Sequence, residues 1–158
     1  MGAEIKPTTV ACIVRRFEPS DTAAVRDIFA QSPQAGALAS DSYERLSESE
    51  GPPTLVSDLS GEVTGVLLSR EVADEAELLN LAALPKYRRH GHGRALVLEA
   101  LAGMRSRGVK SVYLEVRESN SAAIAFYASL GFAKTGIRKG YYRGPDEAAL
   151  TMVRKLTG

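Results

Sequence analysis

A single cysteine, Cys12, in 158 residues excludes an internal disulfide framework and a cysteine-rich zinc centre, and it fits a reducing compartment. Histidine is almost as scarce. His90 and His92 stand one residue apart with no carboxylate or cysteine nearby in sequence to complete a metal site, so no metal is expected. No apolar run reaches membrane-spanning length, and the start MGAEIKPTTV lacks a signal peptide's hydrophobic segment; the expectation is a cytoplasmic protein with no membrane partner. Charge of one sign is also missing. The net charge of +1 implies no broad polyanion-binding surface and no direct nucleic-acid contact, so any anion site must be local.

What is present is an ordinary globular composition, 44% hydrophobic and 25% charged, in a chain long enough to bury its own core. Residues 1–9 are small and polar and read as a flexible terminus, leaving 10–158 as one domain. Residues 10–17 (VACIVRRF) read as a strand. Ser20 or Asp21 can cap a helix reaching about Gln31, with Ala24, Val25, Ile28 and Phe29 as its apolar stripe. A weaker short helix is expected over 41–49. Strands follow at 54–58, 61–70 and 78–84, the first two joined at Ser60-Gly61. A helix with Val97, Leu101 and Met104 ends at Gly108, and 111–117 (SVYLEVR) alternates as a strand. A last helix over 120–130 closes on Gly131-Phe132, and two final strands, 133–139 and 148–155, flank a turn with Gly144-Pro145-Asp146. Strands meander first and then alternate with helices, which predicts an α/β fold: a mixed sheet with helices on both faces.

Residues 78–94 (LLNLAALPKYRRHGHGR) pass from an apolar strand through a basic, glycine-rich turn into a helix. Glycines there permit positive φ and close backbone approach, and a helix N-terminus favours an anion. Taken alone the stretch is ambiguous, since a tight turn with solvated arginines reads the same way. No GK[ST] follows, so it is not a Walker A loop, and no third glycine follows at the dinucleotide spacing. His90 and His92 read as loop side chains or phosphate contacts. A second group is Glu115 with Tyr127. On the strand, Val112, Leu114 and Val116 share one face and Tyr113, Glu115 and Arg117 the other, which therefore borders solvent or a cleft. By itself Glu115 reads as a solvated strand charge and Tyr127 as a core tyrosine.

Taken jointly, R-x-x-G-x-G-R, LEVR-x-SN-x-AAI-x-FY-x-SLGF and a terminal YY-x₇-L-x-M strand, in that order, resemble the GNAT superfamily of acetyl-CoA-dependent N-acetyltransferases. The chain is most similar to its RimI type, which acetylates the N-terminal amine of a ribosomal protein. The resemblance runs from about Asp74 to Val153; residues before it match only in element order.

The resemblance implies a single domain whose mixed, mainly antiparallel sheet has splayed central strands. It implies that Arg88, Arg89, His90, Gly91, His92, Gly93 and Arg94 cradle the coenzyme pyrophosphate. Leu81, Ala82 and Ala83 would pair with the pantetheine arm as an added strand does, up to Pro85, and Asn120 would contact the same arm. Glu115 would be the general base and Tyr127 the general acid, also beside the coenzyme. Tyr141 and Tyr142 would flank the acceptor peptide, although the same pair could simply pack a hairpin. The chain departs from RimI relatives in having no tryptophan in 32–43, a segment that shapes the acceptor site. Three readings remain open on sequence: an N-terminal protein acetyltransferase, a GNAT acting on a small amine or a lysine, and a non-catalytic acetyl-CoA-binding domain. Oligomeric state is not legible.

Overall fold

The computed structural model describes residues 11–35, 43, 46, 51–142 and 147–156. The expected flexible terminus at 1–9 and the turn at Gly144-Pro145-Asp146 lie outside the described residues, as does the 41–49 helix apart from Tyr43 and Leu46. The elements are β1 (Ile13–Arg16), α1 (Thr22–Ala30), β2 (Leu55–Leu59), β3 (Glu62–Val72), β4 (Glu75–Ala83), α2 (His92–Ser106), β5 (Ser111–Arg117), α3 (Ser121–Ser129), β6 (Ala133–Tyr142) and β7 (Glu147–Lys155).

These strands make one 7-stranded sheet in the order β1-β2-β3-β4-β5-β7-β6. Neighbours are antiparallel except β4 and β5, which run parallel. The fold is α/β with a mixed sheet, as expected, and helices cover both faces. On one face α2 and the residues closing α3 pack Leu96, Val97, Leu101, Met104, Leu130 and Phe132 against Leu67, Leu78, Val112, Leu114 and Val116. On the other face α1 packs Val25, Ile28 and Phe29 against Val56, Val66, Leu68 and Ala82. Successive β3 residues therefore serve opposite cores, as a period of two requires. Among the described residues no helix is long and apolar enough to cross a membrane.

Local chemistry accounts for most boundaries. The terminator of α3 is Gly131, whose φ of 89° is the left-handed conformation a Cβ disfavours. It lets Gly131 N–H reach Ala128 O (3.1 Å) and Phe132 N–H reach Tyr127 O (3.1 Å), and Phe132 then folds back into the core. Two expectations are corrected. Strand β4 begins at Glu75, not residue 78, because β3 extends to Val72 and a two-residue turn with Ala73 at φ 57° makes a hairpin that hydrophobicity alone does not reveal. Asp21 stands at the N-cap of α1 but makes no side-chain cap there. Its carboxylate instead takes two hydrogen bonds from Arg15 (2.8 and 2.9 Å) and one from Glu18 N–H (2.8 Å), while Arg15 Nε reaches Asp58 at 3.0 Å. The Arg15 guanidinium holds the Asp21 carboxyl below its ordinary value and ties α1 to the β1–β2 edge.

Two of the sheet's register shifts lie in β3 and β4. Thr64 is the extra residue of β3 opposite the Ser57/Asp58 step, and Leu79 is the extra residue of β4 opposite the Leu68/Ser69 step. Beside the first, Gly65 sits where β4 and α2 crowd β3. A Cβ there would stand 2.8 Å from Ser57 Oγ, 3.1 Å from Ala82 O and 3.1 Å from Leu96 Cδ1. Replacing Gly65 with alanine is expected to destabilise the fold by about 1–3 kcal/mol through overpacking; urea unfolding at pH 7.5 checks it, and an unchanged midpoint would show that the three layers can yield.

Candidate active site

Strands β4 and β5 pair over only four positions, from Glu75 opposite Ser111 to Leu78 opposite Leu114. The bulge at Leu79 follows at once, and beyond it the strands part. The gap is a cleft of about 730 Å³ lined by Leu78–Ala83 of β4, Glu115–Arg117 of β5, Asn120, Ala123 and Tyr127 around α3, Ser32, Pro33 and Ala35 after α1, and Arg88. Its volume suits a cofactor-sized ligand.

The parted edge of β4 carries backbone groups that β5 does not take. Leu84 N–H bonds Thr64 O at 2.8 Å, toward β3. By the alternation of an antiparallel ladder Ala82 also faces β3, whereas Leu81 and Ala83 aim their N–H and C=O into the cleft. Of the three residues expected to pair with an extended ligand, two present their backbone and the middle one does not. Pro85 then opens a short turn, Pro85–Tyr87, that ends the strand.

The loop from Arg88 to Arg94 departs in part from the sequence reading. Gly91 is the N-cap of α2 with φ 85°, and no side chain caps the helix. The first amides of α2, at His92, Gly93 and Arg94, therefore have no intrahelical partner and mark the positive end of the helix dipole. The second positive φ belongs to Arg89 (65°), not to Gly93. A Cβ on Gly93 would make only ordinary contacts, at 3.6 Å with Phe126 and 3.9 Å with Leu81, so packing does not demand glycine there. Arg89, His90 and Arg94 are exposed around the helix start. Arg88 lines the cleft but turns its guanidinium onto Gln31 O (3.0 Å) and Ser32 Oγ (3.2 Å) at the end of α1.

His92 is not a loop side chain. It is buried, its Nδ1 lies 2.6 Å from Thr64 Oγ1, and its ring stacks on Tyr87 at 5.0 Å. Thr64 in turn meets Ser57 Oγ at 2.8 Å, all inside the core. The bulge at Thr64 aims its hydroxyl at the first residue of α2, so a polar chain through the sheet anchors the helix start. Burial, with a smaller effect from His90, holds the His92 imidazole below its ordinary value.

Across the gap, Glu115 lines the cleft from β5 on the face away from α2, since Val112, Leu114 and Val116 fill the α2 side. Tyr127 lines it from α3 on the α2 side. Its ring meets Phe126 at 5.0 Å and Phe132 at 5.6 Å, both edge-on. Among the described residues its hydroxyl has no hydrogen-bond partner and no fully buried polar side-chain atom is unpaired, so the hydroxyl opens to the cleft. Burial pushes the Tyr127 phenol well above its ordinary value, keeping it protonated. Asn120 caps α3, its Oδ1 accepting from Ala123 N–H at 3.1 Å, while lining the cleft. Tyr141 and Tyr142 end β6, Tyr142 opposite Glu147, and their side chains lie outside the described residues. Among the described residues no cluster of three His, Cys, Asp or Glu could hold a metal ion.

The sequence reading missed Asn80, whose Nδ2 donates to Ala35 O at 2.6 Å. An asparagine inside the apolar run LLNLAAL was a visible signal. Ser32, Pro33 and Ala35, from the segment that the family resemblance connects with the acceptor, also line the cleft.

This geometry meets the comparisons with known proteins. The model of the acetyltransferase (GNAT) family matches residues 22–132. The chain belongs to that family. It is 45% identical over 100 residues to the [ribosomal protein bS18]-alanine N-acetyltransferase of Escherichia coli (strain K12), covering 62% of this chain and 68% of that one. The crystal structure of the ribosomal-protein-S18-alanine N-acetyltransferase from Escherichia coli superposes with a TM-score of 0.80 and 33% identity over 93% of this chain and 95% of that. Ard1 from Thermoplasma volcanium superposes with a TM-score of 0.84 and 32% identity over 94% and 100%. The protein is thus a GNAT N-acetyltransferase, and acetyl-CoA is its acetyl donor. The cleft, with two backbone positions on its parted strand edge and the uncapped start of α2, is compatible with a ligand that carries an extended arm and an anionic group, as that donor does.

The His92 anchor generates a stability prediction. Its folded-state value lies below the unfolded one near 6.5. The stabilisation is therefore present above about pH 6.5, where both states are neutral, and is lost as pH falls below it, because the unfolded chain takes up a proton that the fold resists. Urea midpoints at pH 7.5 and 5.5 should drop more for wild type than for His92→Gln; equal drops would refute the anchor's neutral state.

Proposed function

We propose that this acetyltransferase acts on the N-terminal α-amine of a protein beginning with a small residue such as alanine, an acceptor of the kind named for its Escherichia coli relative, ribosomal protein bS18. The cytoplasm, where such an acceptor is made, is the proposed compartment. The observation that carries the reading is the through-sheet cleft, with a carboxylate on one face and a protonated phenol on the other.

The residues divide the work by face. The amides at 91–94 hold the donor's pyrophosphate, with Arg89 and Arg94 around the same helix start adding charge and His90 beside them. Leu81 and Ala83 hold its arm, and Asn120 borders it. Bound acetyl-CoA supplies an acetyl group activated as a thioester. On the α1 face, Glu115 accepts a proton from the attacking amine, directly or through a water. An α-amine with a pKa near ~8 is about a tenth neutral at pH 7, whereas a lysine near ~10.4 is roughly 0.04% neutral. One carboxylate is thus sufficient help for an N-terminal acceptor. A cleft-facing N–H at Leu81 or Ala83 is placed to receive negative charge on the carbonyl oxygen. Tyr127 gives its proton to the departing sulfur. Tyr141 and Tyr142, at the far end of β6, are proposed to border the acceptor.

Short peptides with free and with blocked N-termini decide the acceptor. Acetylation should require the free amine; transfer that survives the block, on a lysine for example, would sink the N-terminal reading. The acid is tested separately. Tyr127→Phe should bind acetyl-CoA nearly as wild type in calorimetry while kcat falls by about 10²–10⁴; unchanged turnover would remove Tyr127 from that role.

A further inference from the structure

Arg88 belongs to the coenzyme loop by position but bonds away from it. Its Nη2 donates to Gln31 O at 3.0 Å and to Ser32 Oγ at 3.2 Å. Gln31 is the C-cap of α1, where the last carbonyls lack helical partners and the dipole is negative, so a guanidinium is well matched there. Ser32 is itself buried. The segment that starts here, Ser32, Pro33 and Ala35, forms one wall of the cleft.

That wall stands on the Glu115 side of the sheet. Ala35 packs with the α1 core, and its carbonyl takes the Asn80 hydrogen bond at 2.6 Å. Glu115 turns to this same side because Val112, Leu114 and Val116 fill the other. The wall is therefore tied at one end to β4 by Asn80 and at the other to the coenzyme loop by Arg88, with the amine's path to Glu115 beside it.

We infer that Arg88 is a positioning residue for the acceptor: it clamps the Ser32–Ala35 wall to the loop that precedes α2, so that the width of the acceptor's path depends on this bond. The inference rests on the proposed transfer at this cleft, and it reverses the role that the RxxGxGR pattern suggests for Arg88, that of a pyrophosphate ligand.

Steady-state kinetics with calorimetric binding of acetyl-CoA separate the two roles. Arg88→Ala should raise the acceptor KM roughly 5- to 10-fold, through loss of the guanidinium's hydrogen bonds to the Gln31 carbonyl and the Ser32 hydroxyl. The Kd for acetyl-CoA should stay within about twofold, since no donor contact is removed. Arg88→Lys, which keeps a cationic donor at the end of α1, should recover part of the acceptor KM. Ser32→Ala should give a smaller rise that is not additive with Arg88→Ala, because both delete the Arg88–Ser32 contact. A Kd for acetyl-CoA that weakens as much as the acceptor KM would make Arg88 a coenzyme ligand and overturn the inference, and so would an unchanged acceptor KM. Should Arg88→Ala fail to fold, Arg88→Lys and Ser32→Ala carry the same comparison. If wild type acetylates another class of amine, the measurement is made with that amine, so failure of the N-terminal reading and failure of the clamp are told apart.

Discussion

The parallel pairing of β4 with β5 stops after Leu78 and Leu114, and the site depends on that stop. A strand inside a sheet normally satisfies its backbone on both sides; an unsatisfied, buried N–H or C=O is costly. Beyond Leu79 no described strand pairs with the outer side of β4, so the ladder leaves the backbone groups of Leu81 and Ala83 aimed into the cleft. The bulge at Leu79 matters for the same reason. It shifts the register by one residue at the point where the strands part, sending Asn80 to the α1 side and Leu81 to the α2 side.

Parting the strands turns the two faces of the sheet into two approaches to one point. The α2–α3 face offers a helix start without a side-chain cap and the Tyr127 phenol, while the α1 face offers Glu115 and the Ser32–Ala35 wall. A phenol and a carboxylate that line one cleft from opposite faces are kept from bonding each other, which two such groups side by side would tend to do. The α2 start is held by the buried Ser57–Thr64–His92 chain, where each polar group is paired in a dry environment and so resists displacement. The uncapped first amides of α2 therefore stand on a rigid support.

Much of this was legible in the residues. The alternation of SVYLEVR correctly put Glu115 opposite the core face, and Gly131-Phe132 marked the end of α3 by turn chemistry. The apolar strand, glycine turn and helix were read in their observed order, β4 into α2. Other parts were not. The side chain of His92 is decided by Thr64, 28 residues away, and that of Arg88 by Gln31, 57 residues away. Gly93 belongs to a stretch that looked as though it needed positive φ at both glycines, but it lies inside α2, and the positive φ values fall at Arg89 and Gly91. Motif spacing describes which residues are near in sequence, and these outcomes turn on what lies across the fold.

By itself the sequence determined the order of elements, the caps and turns that bound them, the mixed sheet, and the residue types from which an acetyltransferase site is made. These follow from interactions within a few residues along the chain, which sequence displays directly. Only the tertiary structure decided where β4 and β5 separate, which backbone positions face the gap, and that His92 goes into the core while Arg88 reaches α1. A gap is set by pairing that does not form between distant strands. A side chain's direction is set by the packing and desolvation it meets there, and neither is written in the local pattern.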